Sequence, residues 1–397
     1  MRALVTASAR FAITPDGVLC TQNGSLPHRF WTRYLDVYDE VRLLVRAQPV
    51  ASVPDGWVVS SGPGVVPVPL PYYEGALQYV KTRRNMAQAA HQAVAQAEAI
   101  HLRLPCSIGS LVWGARERAH PYGVEVVGDP YEVFSPHSVQ HPLRRFFRWW
   151  FPRRLRQQVT GAAAVAYVTQ FSLQQRYPAA AGAFTTHYSS IELGDEAFVS
   201  EARPVKNGDH PFRVVFVGSL AQLYKAPDVL IDAVKGCVDQ GLDIQLVVVG
   251  DGKYRPQLEG QVASLGLEER VMFTGEVSGA AAVREQLDRA DLFALPSHSE
   301  GLPRAMIEAM ARALPCVGTH AGGIPELLAP EYLVAPGDAA ALADLISGVA
   351  RDPARRAEMS ARNLAKAREY HDAVLRQRRN AFYTYVKERT DQWLKNR

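Results

Sequence analysis

The stretch FRVVFVGSLAQLYKAPDVLIDAVKGCVDQGLDIQLVVVGDG, Phe212–Gly252, decides the fold of the second half of this chain. FRVVFVGS is a continuous apolar run closed by a glycine and a serine, the pattern of a strand covered on both faces. DVLIDAVKGCVDQG places its apolar residues at helical spacing and stops at Gly241, which predicts an amphipathic helix. DIQLVVVGDG is a second buried strand, ending in Gly-Asp-Gly.

The alternation continues. RPQLEGQVASLGL reads as helix, RVMFTGEV as strand, GAAAVREQLDRA as helix and DLFALPS as strand. PRAMIEAMARAL is then a helix, PCVGTHAG a strand and AAALADLISGVARD a helix. Strands and helices taking turns across short loops imply a parallel sheet with helices on both faces. Ligands of such sheets bind outside the carboxyl ends of the strands. Three loops lie at that edge: Gly218–Lys225, Gly250–Lys253 and Ser297–Arg304. Glycines there let backbone N–H groups approach an anion, and a helix N-terminus adds a favourable dipole.

The third loop leads into HSEGLPRAMIEAM, His298–Met310, with Glu300 and Glu308 eight positions apart. Pro303 suits the first helical position, where a missing N–H costs nothing. Glu300 is then expected in the loop, and Glu308 about one and a half turns inside the helix. The two acids sit on different elements and are not a general acid and base pair. Gly301 allows backbone to approach a ligand closely. Glu300 is a candidate acceptor for sugar hydroxyls and Glu308 for ribose hydroxyls, against a plainer pair of helix-turn and surface acids. Lys225 is a candidate to neutralise a diphosphate. No GxxxxGK[ST], GxSxG or HExxH occurs, and histidines and cysteines do not cluster.

The first half follows the same pattern less cleanly. RALVTAS, VRLLVRA, AIHLRLP, YGVEVVGDP and AAAVAYVT read as strands. RFWTRYLDVYDE, residues 79–97 and FSLQQRYP read as helices. The polar SEARPVKNGDHP reads as a linker. The predicted organisation is a first α/β domain over 1–199, a linker over 200–211 and a second α/β domain over 212–370. A last helix over 371–397 is expected to pack back on the first domain.

The 397 residues are too many for one ordinary domain, and 47% hydrophobic with 21% charged is a globular balance. Cys20, Cys106, Cys237 and Cys316 show no CxxC spacing, which argues against a zinc site and a disulfide scaffold. No stretch reaches the roughly 20 apolar residues of a spanning helix. The opening residues read as a first strand rather than a signal peptide. A reducing cytoplasm is the expected compartment.

The stretch LPSHSEGLPRAMIEAMARALPCVGTHAGGIPELL resembles the E-x7-E signature of retaining glycosyltransferases of family 4, with the strand and Gly-Gly-x-Pro-Glu turn that follow it. VFVGSLAQLYKAPDVLIDAV, LVVVGDGKYR and VMFTGEVS precede it in the order of that family, so the resemblance covers residues 213–328. It implies a GT-B fold, two Rossmann-like domains with parallel sheets facing a central cleft. It also implies transfer of a sugar from a nucleotide-diphosphate sugar to an acceptor hydroxyl, with retention and with no metal or other cofactor. The acceptor would be a bacterial glycan, a glycolipid or a natural product. By the family pattern Glu300 contacts the donor sugar, Glu308 the ribose, and Gly301, Leu302 and Pro303 give backbone contacts. Lys225 contacts the diphosphate, and Gly218, Ser219, Gly250 and Gly275 complete the donor side. In the first domain Asn23 and Gly24, His101 and Asp129 are the acceptor-side candidates.

The sequence departs from the family in three places. Ser219 stands where an arginine is usual, and Arg304 is a candidate substitute for it. Ala313 replaces a common glycine, with an effect expected on packing only. A strand-end HxH is here His101-Leu102-Arg103, so Arg103 takes the place of the histidine that faces the reacting sugar and enters the catalytic candidates beside Glu300 and Lys225. These departures keep two alternatives open, a sugar-nucleotide epimerase of the same shape and a decayed sugar-nucleotide-binding protein.

Residues 1–200 hold 19 Lys/Arg against 14 Asp/Glu, and no acid falls between Glu132 and Glu192. Within that gap HPLRRFFRWWFPRRLRQQ, residues 141–158, carries six arginines and five large aromatics. Such a segment suits an anionic membrane surface, with a lipid-linked acceptor and peripheral attachment to the inner membrane face. The alternative is a helix, broken at Pro152, whose aromatics pack into the first domain while the arginines stay in water. Nucleic acid is not an expected partner, because no supporting motif accompanies the charge.

Overall fold

The computed structural model describes residues 1–22, 26–135, 141–204 and 210–397, and within helix 75–95 it leaves the side chains of 76 and 77 undescribed. Two sheets organise the chain. In the second half β11 (Phe212–Val217), β12 (Ile244–Val249), β13 (Val271–Gly275), β14 (Leu292–Leu295), β15 (Cys316–Thr319) and β16 (Leu333–Val334) form one sheet in the order β13-β12-β11-β14-β15-β16. Every pairing in it is parallel. Helices α7 (Pro227–Asp239), α8 (Arg255–Ser264), α9 (Gly279–Asp288), α10 (Arg304–Ala311), α11 (Ala339–Arg351) and α12 (Pro353–Arg368) belong to this half. Val214, Val215, Phe216, Leu246, Val247 and Val248 are buried, because a strand with helices on both faces has no wet side. Each such side chain contributes about 1.5–3 kcal/mol by leaving water.

The first sheet contains β1 (Arg2–Thr6), β2 (Phe11–Ile13), β3 (Leu19–Thr21), β4 (Glu40–Pro49), β5 (Val58–Val59), β6 (Val65–Leu70), β7 (Ala99–Leu104), β8 (Gly123–Val126), β9 (Ala164–Tyr167) and β10 (Phe184–His187). Its order is β10-β9-β8-β7-β1-β4-β2-β3-β5, with β6 paired to β4. The body is parallel, and among the described residues the β2-β3 and β3-β5 strand pairings are the antiparallel ones. Its helices are α1 (His28–Thr32), α2 (Gly75–Ala95), α3 (Ser107–Ala115), α4 (Pro130–Val133), α5 (Arg144–Thr160) and α6 (Ser172–Arg176). The last helix, α13 (Asp372–Lys395), lies against β7, β8, β9 and β10 of this first sheet.

Three local expectations fail, each for a physical reason. The helix expected over Arg29–Glu40 stops at Thr32 and continues as turns, with Trp31, Tyr34 and Tyr38 all driven into the core. Pro152 does not break its helix. The chain stays helical through it, because Phe147 and Phe151 pack at 5.4 Å on Phe134 and Leu155 is buried below. The sequence reading leaves 353–368 without an element, yet helix α12 forms there: Asp352 accepts the Arg355 N–H at 2.9 Å and Pro353 opens the helix, both ordinary start signals.

Ala313 follows the C-terminus of α10 with φ +53°, a left-handed backbone that disfavours any residue with a Cβ. The glycine replaced there is a matter of backbone conformation and not of packing alone, which corrects the sequence expectation.

Candidate functional site

The carboxyl ends of β11, β12 and β13 meet tightly. Gly218 N–H bonds to Val249 O and Gly250 N–H to Gly275 O, each at 2.9 Å. Gly250 has φ +142°, and a Cβ on it would lie 2.0 Å from Gly218 O, so only glycine fits. Ser219 is exposed beside this cradle, its Oγ accepting the Ala221 N–H at 3.2 Å. Gly218, Ser219, Gly250 and Gly275 therefore share one edge of the second sheet.

Lys225 follows β11 and Glu300 follows β14, and the sheet order makes these two strands neighbours. Lys225 Nζ donates to Glu300 Oε1 at 2.8 Å, with side chains 15% and 8% exposed. Ser297 Oγ donates to the same oxygen at 2.9 Å. Burial alone would pull the Lys225 ammonium down, but the Glu300 charge and the Tyr224 ring more than offset it and hold its pKa above the ordinary value. The two loops are tied further by the His298 N–H, which donates to Tyr224 O at 2.7 Å.

Helix α10 begins one residue later than Pro303 suggests. Pro303 has ψ 108° and is its N-cap, so the extended backbone runs through Glu300–Pro303. Behind this loop stands the turn Gly322–Gly323. A Cβ on Gly322 would fall 1.8 Å from Glu300 O, and Gly323 N–H donates to Gly301 O at 2.8 Å. Gly301 touches the first domain, its Cβ direction ending 3.7 Å from Val127 O.

The two glutamates face different cavities. Glu300 and Gly301 line a space of about 180 Å³ together with Asp129, Thr169, Arg176 and His320. Glu308, one turn along α10, lines a separate space of about 450 Å³ between the domains, with Arg284 of α9 and Arg33 from the first domain. Burial raises the Glu308 carboxyl above the usual glutamate range, while Arg304 and Arg284 work against the rise. Arg304 also acts on Lys225, so this exposed cation stands between the two positions.

A third space of about 310 Å³ is lined by Arg103, Phe30, Gly301, Leu302 and Arg304. Arg103 reaches its wall but is engaged from behind. It donates to Glu125, which also accepts the Tyr34 hydroxyl, and its guanidinium lies 4.8 Å from the Phe30 ring centre. Burial works against its charge, and Glu125 with Tyr34 offsets that and keeps it protonated. Asp129 caps α4 by accepting the Tyr131 N–H at 2.9 Å, accepts the Tyr177 hydroxyl at 2.5 Å and pairs with Arg176. It reaches the small cavity with both oxygens already engaged.

His101 corrects the sequence reading. It is fully buried, in edge contact with Tyr34, Tyr38, Phe382 and Tyr383, and cannot meet an acceptor. Its Nε2 is 2.8 Å from the Tyr38 hydroxyl, which donates to Tyr383 O. With that proton committed, Nε2 carries the imidazole hydrogen, and buried Nδ1 has no partner among the described residues. Burial pushes this histidine down to about 3, so it is neutral. Asn23 and Gly24 lie outside the described residues.

Glu326, in the Gly-Gly-x-Pro-Glu turn, has a role that its sequence position does not reveal. Its Oε1 accepts the Phe171 N–H at 2.9 Å and both the N–H and hydroxyl of Ser172 at 2.7 Å. Its Oε2 accepts the Gln170 N–H at 2.5 Å. One carboxylate of the second domain thus gathers the loop that opens α6 in the first. Among the described residues no three His, Cys, Asp or Glu gather as a metal site, and no helix is long and apolar enough to cross a membrane.

Residues 211–352 match the family model for Glycosyl transferases group 1. The crystal structure of Anabaena HepE in complex with UDP and glucose superposes with a TM-score of 0.63 over 95% of this chain and 97% of that one, at 19% identity. Two opposed α/β sheets with this likeness are the GT-B fold, and the chain is a glycosyltransferase of that fold carrying a group 1 domain. Protein CapJ of Staphylococcus aureus is 25% identical over 327 residues, covering 81% of this chain and 80% of that protein. A phosphatidyl-myo-inositol mannosyltransferase of Mycobacterium leprae is 25% identical over 381 residues, covering 90% and 93%.

Proposed function

We infer that the protein moves a sugar from a nucleoside-diphosphate sugar to an acceptor hydroxyl, with retention of anomeric configuration and without a metal. The observation that carries this reading is the buried Lys225–Glu300 pair at the joined ends of β11 and β14. The free protein keeps each charge satisfied by the other. An arriving diphosphate competes for Lys225, and the Glu300 oxygen so released accepts sugar hydroxyls. Glu308, one turn away in its own cavity, takes the ribose. Gly301, Leu302 and Pro303 offer backbone to the sugar and phosphate, and Gly218, Ser219, Gly250 and Gly275 wall the nucleotide. As the sugar–phosphate bond breaks, charge grows on the leaving diphosphate. Lys225, Arg304 and the amino end of α10 are placed to neutralise it, and Arg304 serves where Ser219 replaces an arginine. The acceptor hydroxyl enters by the cavity bearing Arg103; its oxygen bonds to the sugar's anomeric carbon as the bond to phosphate breaks, and its proton passes to the departing diphosphate oxygen.

The HepE complex makes UDP-sugars the first donors to test. The mannosyltransferase relative acts on a phosphatidyl-inositol by its name, which supports a glycolipid acceptor. Incubation with labelled nucleotide sugars, read by product mass and anomeric NMR, tests the reading. Transfer with retention that is lost in Glu300→Ala is expected. Undiminished transfer in Glu300→Ala, or epimerised free sugar nucleotide as the product, overturns it.

A further inference from the structure

Helix α5 separates its aromatics into two sets. Phe147 and Phe151 pack inward on Phe134, whereas Phe146 and Trp149 are 50% and 51% exposed and Trp150 is also open to solvent. At about 100° per residue, those three rings and the exposed Arg145, Arg153 and Arg156 fall within an arc of about 140°. Arg153 stacks 4.5 Å over Trp149, a geometry that holds a cation and an indole at one level.

A second helix carries the same character. In α2, Lys81, Arg83 and Arg84 are exposed beside Val80, itself 69% exposed, and no acid occurs between Glu74 and Glu98. Met86 of α2, Ile108 and Val112 of α3, and Leu155 and Val159 of α5 belong to one buried cluster, so α2 and α5 cover the same side of the first sheet. Among the described residues none of Lys81, Arg83, Arg84, Arg145, Arg148 or Arg153 has an ion-pair partner. A surface that combines open indole and phenyl rings with uncompensated cations is out of place in water and matched to an anionic lipid interface.

The patch adjoins the cleft. A groove of about 370 Å³ between Tyr131 and α5 is floored by Arg145, Arg148 and Trp149. Arg148 covers the Tyr131 ring at 3.9 Å and Arg176 approaches it at 4.6 Å. Arg176 in turn pairs with Asp129 and Glu132 at the wall of the Glu300 cavity.

We propose that the α2–α5 face seats on a bilayer of anionic lipids, with Phe146, Trp149 and Trp150 in the headgroup layer and lipid phosphates in the arginine groove beside Tyr131. This rests on the transferase reading for its purpose, since it presents a lipid-borne hydroxyl at the mouth of the cleft, but not for its test.

The test is flotation of the full chain with vesicles of phosphatidylcholine alone or enriched in phosphatidylglycerol. Binding is expected only to the anionic vesicles, and it should fall as salt rises. Arg83→Gln with Arg145→Gln and Arg153→Gln is expected to weaken binding on the order of 100-fold. Phe146→Ala with Trp149→Ala should weaken binding to the anionic vesicles at low and high salt alike. Both variants should keep wild-type thermal stability and wild-type turnover of a soluble acceptor. No binding, equal binding to both vesicle types, unchanged binding of the charge variant, or a gel shift with RNA in place of vesicle binding overturns the proposal. Vesicle binding without any sugar transfer would instead sink the transferase reading and leave the surface intact.

Discussion

Lys225 and Glu300 lie 75 residues apart in sequence and 2.8 Å apart in space, each the main answer to the other's charge. Removing one partner leaves an uncompensated buried charge. Lys225→Met is expected to lower stability by about 3–5 kcal/mol, and adding Glu300→Gln should restore much of that. Urea unfolding of the two variants measures it. Equal loss in single and double variants would mean that the pair is not coupled. In turnover, Glu300→Gln is expected to lose on the order of 100-fold.

Glu308 gives a prediction about pH. Its folded pKa is raised, chiefly by burial. The folded protein therefore holds this proton to a higher pH than the unfolded chain, and stability falls as pH rises from the ordinary glutamate value through the raised one. On the role proposed for Glu308, nucleotide binding moves the other way, because only the carboxylate accepts two ribose hydroxyls. Calorimetric titration with a nucleoside diphosphate should show affinity rising with pH across that window. Glu308→Gln should bind more weakly and remove this rise.

His101 has the opposite sign. It is neutral with a folded pKa of about 3, and its unfolded value is 6.5. Below pH 6.5 the unfolded chain takes up a proton that the folded chain refuses, and the loss grows until pH 3. At pH 5 this amounts to about 2 kcal/mol. His101→Gln should flatten the decline in stability between pH 6.5 and 5, as read by denaturant titration. An unchanged slope would place the acid sensitivity elsewhere.

Ala313 and Ala309 make a matched pair, both buried and four residues apart. Ala309 is inside α10, where glycine costs about 1 kcal/mol plus the buried methyl. At Ala313 the left-handed backbone returns about 1–2 kcal/mol to glycine. Ala313→Gly is therefore expected near neutrality and Ala309→Gly clearly destabilised, by comparison of thermal midpoints.

The second domain was legible because its signals are local. Buried strands announce themselves as apolar runs, and Glu300–Glu308 can be divided between loop and helix from one proline. The first domain was less so. His101 looks like a strand-end ligand until α13, which begins 271 residues later, covers it with Phe382 and Tyr383. Pro152 reads as a helix end, yet the packing of Phe147 and Phe151 on Phe134 outweighs one missing N–H. Glu326 sits in a motif visible in sequence, but its partners at 170–172 are set by how the two sheets face each other.

That carboxylate also bears on timing. Glu326 ties the two lobes through four charge-assisted bonds, each worth about 1.5–3 kcal/mol net of exchange with water. Breathing of the enzyme thus has a hasp near its rim. On the function proposed above, parting the lobes to release a spent nucleotide requires water to unfasten this one side chain.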